Sequence, residues 1–224
     1  MKLTSSLRLI YFLSLLFMVS FTVSAQEGDT VKTLSKGRIF TSLYGTLTNQ
    51  TAEISATESI VTNGYTLGTK SGKFLNDNWV FGLNFSLSKS ELENNFASLD
   101  NEELLLGLWT RFYFGQRGDA ALYAEITPNY TSIFRENVVQ DIANGNLVLS
   151  EEVSGAGFGL IPGIGFTYLI NKNVGFGMTL AYSMAWLDVD TQDFILNQTI
   201  SDSYFIRGMK FSFNFEVYLD QFFF

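Results

Sequence analysis

The sequence predicts an all-β fold, an eight-stranded antiparallel transmembrane up-and-down β-barrel. Three observations carry this. Eight segments alternate large apolar residues with small or polar ones, which is the period of a strand with two unlike faces. The connections between them are by turns short and long. The chain opens with an export signal, and no amphipathic helix of useful length follows it.

The export signal comes first. Lys2 and Arg8 form a charged start, Leu9 to Phe21 is apolar apart from serines, and Val23-Ser24-Ala25 is a small-residue cleavage site. Cleavage after Ala25 makes Gln26 the first mature residue. The expected organisation is a signal peptide at 1–25, a short periplasmic N-terminal segment at 26–36 and the barrel at 37–224. The chain has no cysteine, which excludes a lipoprotein signal and a disulfide framework. Without Lys2 and Arg8, 12 basic residues face 22 acidic ones. That balance argues against nucleic acid as a partner.

The eight segments lie near residues 37–49, 64–75, 79–90, 103–114, 120–135, 152–170, 174–188 and 203–219. In the first, parity turns Arg38, Phe40 and Tyr44 to one side, and in the second it does the same for Lys70. The third sets Trp79, Phe81, Leu83, Phe85 and Leu87 against Val80, Gly82, Asn84, Ser86 and Ser88. The fourth turns Trp109 and Arg111 to the small or polar side, the fifth Tyr123 and Glu125. The sixth reads "SGAGFGLIPGIGFTYLI", glycine on one face and apolar residues on the other. The seventh sets Val174, Phe176, Met178, Leu180, Tyr182, Met184 and Trp186 against glycine, alanine, serine and threonine. The eighth sets Phe211, Phe213, Phe215, Val217 and Leu219 against Lys210, Ser212, Asn214, Glu216 and Tyr218.

Three connections are tight and rich in turn formers: Asn76-Asp77-Asn78, Gly115 to Asp119, and Asn171-Lys172-Asn173. Four are long and polar, near 50–63, 91–102, 136–151 and 189–202. Strict alternation of short and long is the layout of an outer-membrane barrel, with short turns and both termini periplasmic and long loops outside. A register check agrees, because residues opposite one another across a turn share a face. Gly165 meets Thr179, Phe166 meets Met178, Lys70 meets Asn84, Leu75 meets Trp79, Arg111 meets Glu125 and Phe112 meets Ala124.

An eight-stranded lumen is just wide enough for side chains to fill. Large inward residues therefore need small neighbours, and Gly155, Gly157, Gly159, Gly163, Gly165, Gly175 and Gly177 supply them. The same glycines do not make a dinucleotide fingerprint, since Gly155-x-Gly157 is followed by Leu160 and no helix follows. Pro128 and Pro162 fall on the lipid side. Each removes a ladder donor, so a bulge or a position near the rim is expected there.

Inward charges are Arg38, Lys70, Arg111, Glu125, Lys210 and Glu216. Buried charges persist only when paired. Arg111 and Glu125 are the expected pair, with Glu216 meeting Arg38 or Lys70 across the closing seam. The set reads as a polar plug or as a gate that passes ions. The chain has no histidine, so a Ser-His hydrolase, a Cys-His enzyme and a histidine-ligated zinc site are excluded. The acidic run Glu91, Glu93, Asp100, Glu102 and Glu103 is the one candidate carboxylate site, and a solvated acidic loop is the plainer reading. No metal or cofactor is expected.

With these features the chain resembles the small eight-stranded outer-membrane β-barrels, the OmpA-barrel and OmpX-like group, over about residues 37 to 224. Trp79 and Trp186 read as the two aromatic rims. Gly208-Met209-Lys210-Phe211-Ser212-Phe213 looks like the family's insertion signal, followed here by a tail ending in Phe224. The Ser-Ala-Gln junction is similar to signals of Bacteroidota, whose PorT-like barrels are a possible nearer relative. The resemblance implies a monomer in outer-membrane lipid and lipopolysaccharide, inserted by the barrel assembly machinery. It implies a non-enzymatic protein, structural or binding a ligand through acidic outer loops. A narrow porin-like channel is the alternative, and a soluble lipid-binding barrel a weaker one.

Overall fold

The computed structural model describes residues 33–55, 58–93, 97–140 and 147–220. The proposed cleavage site at Ala25 and Gln26 and the terminal Phe224 lie outside these residues. The strands are β1 (Ile39–Ser55), β2 (Glu58–Asn76), β3 (Trp79–Glu93), β4 (Ala97–Arg117), β5 (Ala120–Gln140), β6 (Leu147–Asn171), β7 (Val174–Asp193) and β8 (Gln198–Leu219). Each pairs antiparallel with the next, and β8 returns to β1 to close the barrel.

The strands outrun the segments expected from the sequence. The polar stretches expected as long loops are mostly strand, because the hairpins continue past the apolar belt. The β7–β8 ladder runs up to Asp193↔Gln198, where Asp193 Oδ1 accepts from the amides of Ile195 and Leu196 at 2.8 and 2.9 Å. Alternation of apolar residues marks only the part of a strand that needs an apolar face. Above it the ladder is held by backbone hydrogen bonds that any polar residue can make.

At the other end the turns are tighter than expected. Asp77-Asn78, Gly118-Asp119 and Lys172-Asn173 each join two strands. In the second of these turns Gly118 takes a left-handed backbone (φ 59°), which glycine adopts without steric cost. Gly115 to Arg117, expected as turn, belong to β4. Beside every tight turn the register slips by one residue, at Phe74/Asn76, Tyr113/Gly115 and Leu169/Asn171. Hence Trp79 faces Asn76 and not Leu75, which is the bulged residue. The other register pairs stand as the sequence places them: Lys70↔Asn84, Arg111↔Glu125, Phe112↔Ala124, Gly165↔Thr179 and Phe166↔Met178.

The prolines correct a further expectation. Neither sits at a bulge or a rim. The β4–β5 ladder passes from Gly107↔Asn129 to Thr110↔Ile126, skipping the pairs beside Pro128, with the same register on both sides. The β6–β7 ladder does the same around Pro162, from Leu160↔Met184 to Gly163↔Ala181. Each proline turns its missing donor toward one neighbour and stays paired with the other, Pro128 with Leu160 and Pro162 with Ile126.

The outer face carries an apolar belt. Its exposed residues include Leu43, Leu67, Leu83, Leu106, Ile126, Ile164, Leu180 and Phe213. The inner face is filled. At the short-turn end Leu34, Phe40, Phe74, Val80, Trp109, Tyr113, Tyr123 and Tyr218 form one buried cluster. Thr33 and Leu34 precede β1 and are themselves buried, Leu34 within this cluster.

Candidate functional site

The centre of the lumen holds Arg111 of β4, fully buried. Two carboxylates converge on it, Glu125 from the neighbouring strand β5 and Glu216 from β8 across the lumen. Its Nε donates to Glu125 Oε2 at 3.0 Å and its Nη1 to Glu216 Oε1 at 2.6 Å. Nη2 lies 2.9 Å from Glu125 Oε2, near enough for charge pairing though off the donor direction. The guanidinium lies over the Tyr123 ring, 3.7 Å from its centroid, and 5.0 Å from that of Phe40. Planar, weakly hydrated guanidinium suits a cage of rings and carboxylates.

Each carboxylate has further donors. Glu125 takes Lys70 Nζ on its other oxygen and the Trp109 indole at 3.1 Å. Glu216 takes the hydroxyls of Thr167 and Tyr218, both at 2.8 Å. Two cations and two anions therefore balance inside a sealed layer, and the acceptors are well supplied. That is the condition under which buried ions persist.

The sequence pairs Glu216 with Arg38 or Lys70, and the structure pairs it with Arg111. The β1–β8 seam does bring β1 beside β8, with Ser42 opposite Glu216. Arg38, however, lies four residues nearer the short-turn end. There it donates to the carbonyls of Thr33 (2.9 Å), Lys172 (2.8 Å) and Tyr218 (3.0 Å) and pairs with Asp220 at 2.7 Å. Arg38 thus ties the N-terminal segment to a turn and to the end of β8. Lys210 lies toward the hairpin end, 3.2 Å from Glu103.

The sequence groups Glu103 with an acidic loop site. It lies instead in β4 and turns inward to Lys210, whereas Glu91 and Glu102 share Lys89 at 3.1 and 3.7 Å on the outer wall. The carboxylates divide between the two faces of the wall, so they do not converge. The Glu93 side chain lies outside the described part. Among the described residues no three metal-ligating side chains cluster.

The glycines make the space the plug occupies, though unequally. A Cβ on Gly165 would lie 2.5 Å from the Tyr123 ring and 2.3 Å from the Met178 carbonyl oxygen. One on Gly177 would lie 2.8 Å from Glu216 Oε1, and one on Gly159 2.5 Å from Asn129 Oδ1. Gly155 and Gly157 face the β7 backbone and Val189 at under 3.0 Å. Gly163 and Gly175 are looser: a Cβ on Gly163 would meet the Ala181 methyl at 3.2 Å, and one on Gly175 the Thr167 methyl and the Tyr168 carbonyl oxygen, both at 3.1 Å. Gly163, which faces Glu125 across the β5–β6 ladder, leaves a Cβ more room than Gly165 does. Gly68, absent from the expected set, belongs to it: a Cβ there would strike the Tyr44 ring at 2.3 Å. The same parity that turns Lys70 inward could have found it. Gly165→Ala is expected to destabilise the refolded barrel by about 1–3 kcal/mol, whereas Gly163→Ala costs clearly less. Urea midpoints of the two variants check this.

The outer landmarks lie at the ends of the belt. Trp79 opens β3 beside a tight turn, and Trp186 sits on β7 against Phe205, ring centroids 5.2 Å apart. In β8 Phe211 and Phe213 face outward with rings 5.1 Å apart, and Gly208 stands above them.

A closed antiparallel eight-stranded barrel, apolar outside and packed with paired charges inside, is the fold of small outer-membrane proteins. No family model matches the chain, and no curated protein matches it. Solved structures do. The outer-membrane protein OprG from Pseudomonas aeruginosa is similar at 16% identity, over 83% of this chain and 98% of that one, with a TM-score of 0.53. A major outer membrane protein from Thermus thermophilus is similar at 11% identity, over 81% and 99%, with a TM-score of 0.52.

Proposed function

We propose that this chain is a non-enzymatic outer-membrane protein, a closed barrel that anchors polar hairpin ends outside the cell, with its tight turns and termini in the periplasm. Its role is structural, or the binding of a ligand by those acidic hairpins. The observation that carries this is the sealed lumen. Arg111, Glu125 and Glu216 are each at most 7% exposed, and Leu34 is buried in the cluster below them. A conducting path would need a water-filled line through this layer, and the ion pairs occupy it. The absence of histidine and cysteine from the sequence and the dispersal of the acidic run support the non-enzymatic reading. The signal peptide, the assembly-machinery signal in β8 and a lipopolysaccharide environment belong to the same proposal.

Planar-bilayer recording tests it. The protein is expected to give no steady single-channel conductance. Steady openings whose size changes in Arg111→Ala would establish the narrow channel instead.

A further inference from the structure

An inward ion pair stands apart from the Arg111 layer. Lys210 of β8 donates to Glu103 of β4 at 3.2 Å, and the two side chains are 39% and 25% exposed. Both line a cavity of about 130 Å³ on the hairpin side of that layer. The rest of the lining joins two chemistries. Its polar part adds the hydroxyls of Thr131 and Ser183, and its apolar part is Ile133, Ala185, Leu187 and Ile206. Ile133, Ala185 and Leu187 are buried in one apolar cluster with Val153 and Val189, so that side is a packed wall.

The cavity has room and an approach. A Cβ on Gly208, which lines it, would meet no atom within 4 Å. Every residue of β8 from Gln198 to Arg207 is exposed, including Ile206 of inward parity. The Thr131 hydroxyl donates to Asn129 Oδ1 at 2.8 Å, which leaves its own oxygen able to accept. Toward the tight turns the buried Arg111, Glu125 and Glu216 close the lumen, so the cavity is a dead end.

Charge and size together select the ligand. Lys210 and Glu103 are each other's counter-ions. A ligand with one charge would leave one of them without a partner, and that is costly where water is scarce. A ligand with both charges replaces the pair by two new ones. The third charge in the lining, Arg207, sits on a position of outward parity opposite Met184. A cavity of about 150 Å³ takes a benzene molecule, so this one takes a small aliphatic group and no fused ring system.

We propose that the cavity binds a free aliphatic α-amino acid of the size of valine or leucine. The ammonium meets Glu103, the carboxylate meets Lys210 and the Ser183 hydroxyl, and the side chain lies on Ile133, Ala185 and Leu187. The site binds and does not transport. It goes beyond the structural reading and is separate from any ligand held by the hairpins outside.

The test is isothermal titration calorimetry of the full barrel in a neutral detergent, with leucine, 4-methylpentanoate and isoamylamine. The last two are leucine without its amine and leucine without its carboxylate. Leucine is expected to fill one saturable site, tighter than either analogue by about tenfold or more, because each analogue leaves a charge of the pair unpartnered. Tryptophan should not bind. Glu103→Gln and Gly208→Leu, the second filling the open space, should each abolish leucine binding. The three-ligand comparison needs no variant, so it decides even where a variant fails to fold. No heat with leucine would overturn the proposal. Equal affinity for leucine and 4-methylpentanoate would also overturn it and would leave a plain anion site, and equal affinity for leucine and isoamylamine would do the same for a cation. Unchanged leucine binding in a folded Gly208→Leu barrel would place the ligand elsewhere.

Discussion

Arg111→Leu is expected to lower the stability of the refolded barrel by about 3–5 kcal/mol, the usual cost of removing one partner from a buried ion pair. The cost arises because the change leaves Glu125 and Glu216 facing Lys70 alone. Glu216 keeps only hydroxyl donors, from Thr167 and Tyr218. Its charge then has no cation in contact in a layer that water does not reach. Arg111→Leu combined with Glu216→Gln restores neutrality, and it should recover much of the loss. The urea midpoint of refolding into lipid vesicles gives both values. A single variant as stable as the parent would mean that the charges are hydrated, and the plug would not exist as described.

The second large effect belongs to the outer face. Ile164→Arg is expected to cost about 2–4 kcal/mol, the range for a cation on the lipid side of a barrel near the midplane. Ile164 is 61% exposed and stands across from Ala124 and Leu180 in the belt. Ile164→Leu keeps the volume and polarity of that face and should cost less than about 1.5 kcal/mol. The same vesicle assay separates them. Equal midpoints for the two would place Ile164 in water.

Much of this arrangement is legible in the sequence because a strand has period two. Parity alone places Trp109, Arg111, Tyr123 and Glu125 inside and Trp79, Ile164 and Phe213 outside, and it needs no tertiary information. The tight turns set the register, so Arg111 meets Glu125. Pairing across the lumen is not legible. Glu216 reaches Arg111 from the far wall, and that choice depends on the shear of the barrel, which no hairpin encodes. The bulges beside the tight turns are hidden as well, since Leu75 fits the apolar alternation whether or not it is paired. The strand ends above the belt are hidden because Glu91 or Asp100 carries no alternation to read. The prolines mislead for a related reason. A missing donor is expected to bend the strand, but each ladder loses pairs on one side and keeps its register.

In the proposed arrangement the apolar face meets lipid and the polar face is sealed inside. The three tryptophans report on it directly, since Trp79 and Trp186 are 41% and 54% exposed on the outer face and Trp109 is 0% exposed in the lumen. The measurement is fluorescence quenching in vesicles whose acyl chains carry bromine, for the unaltered protein and for Trp79→Phe/Trp186→Phe, which leaves Trp109 alone. The unaltered protein should be strongly quenched, and the variant should fluoresce almost unquenched. Strong quenching of Trp109, or no quenching of the unaltered protein, would contradict the barrel.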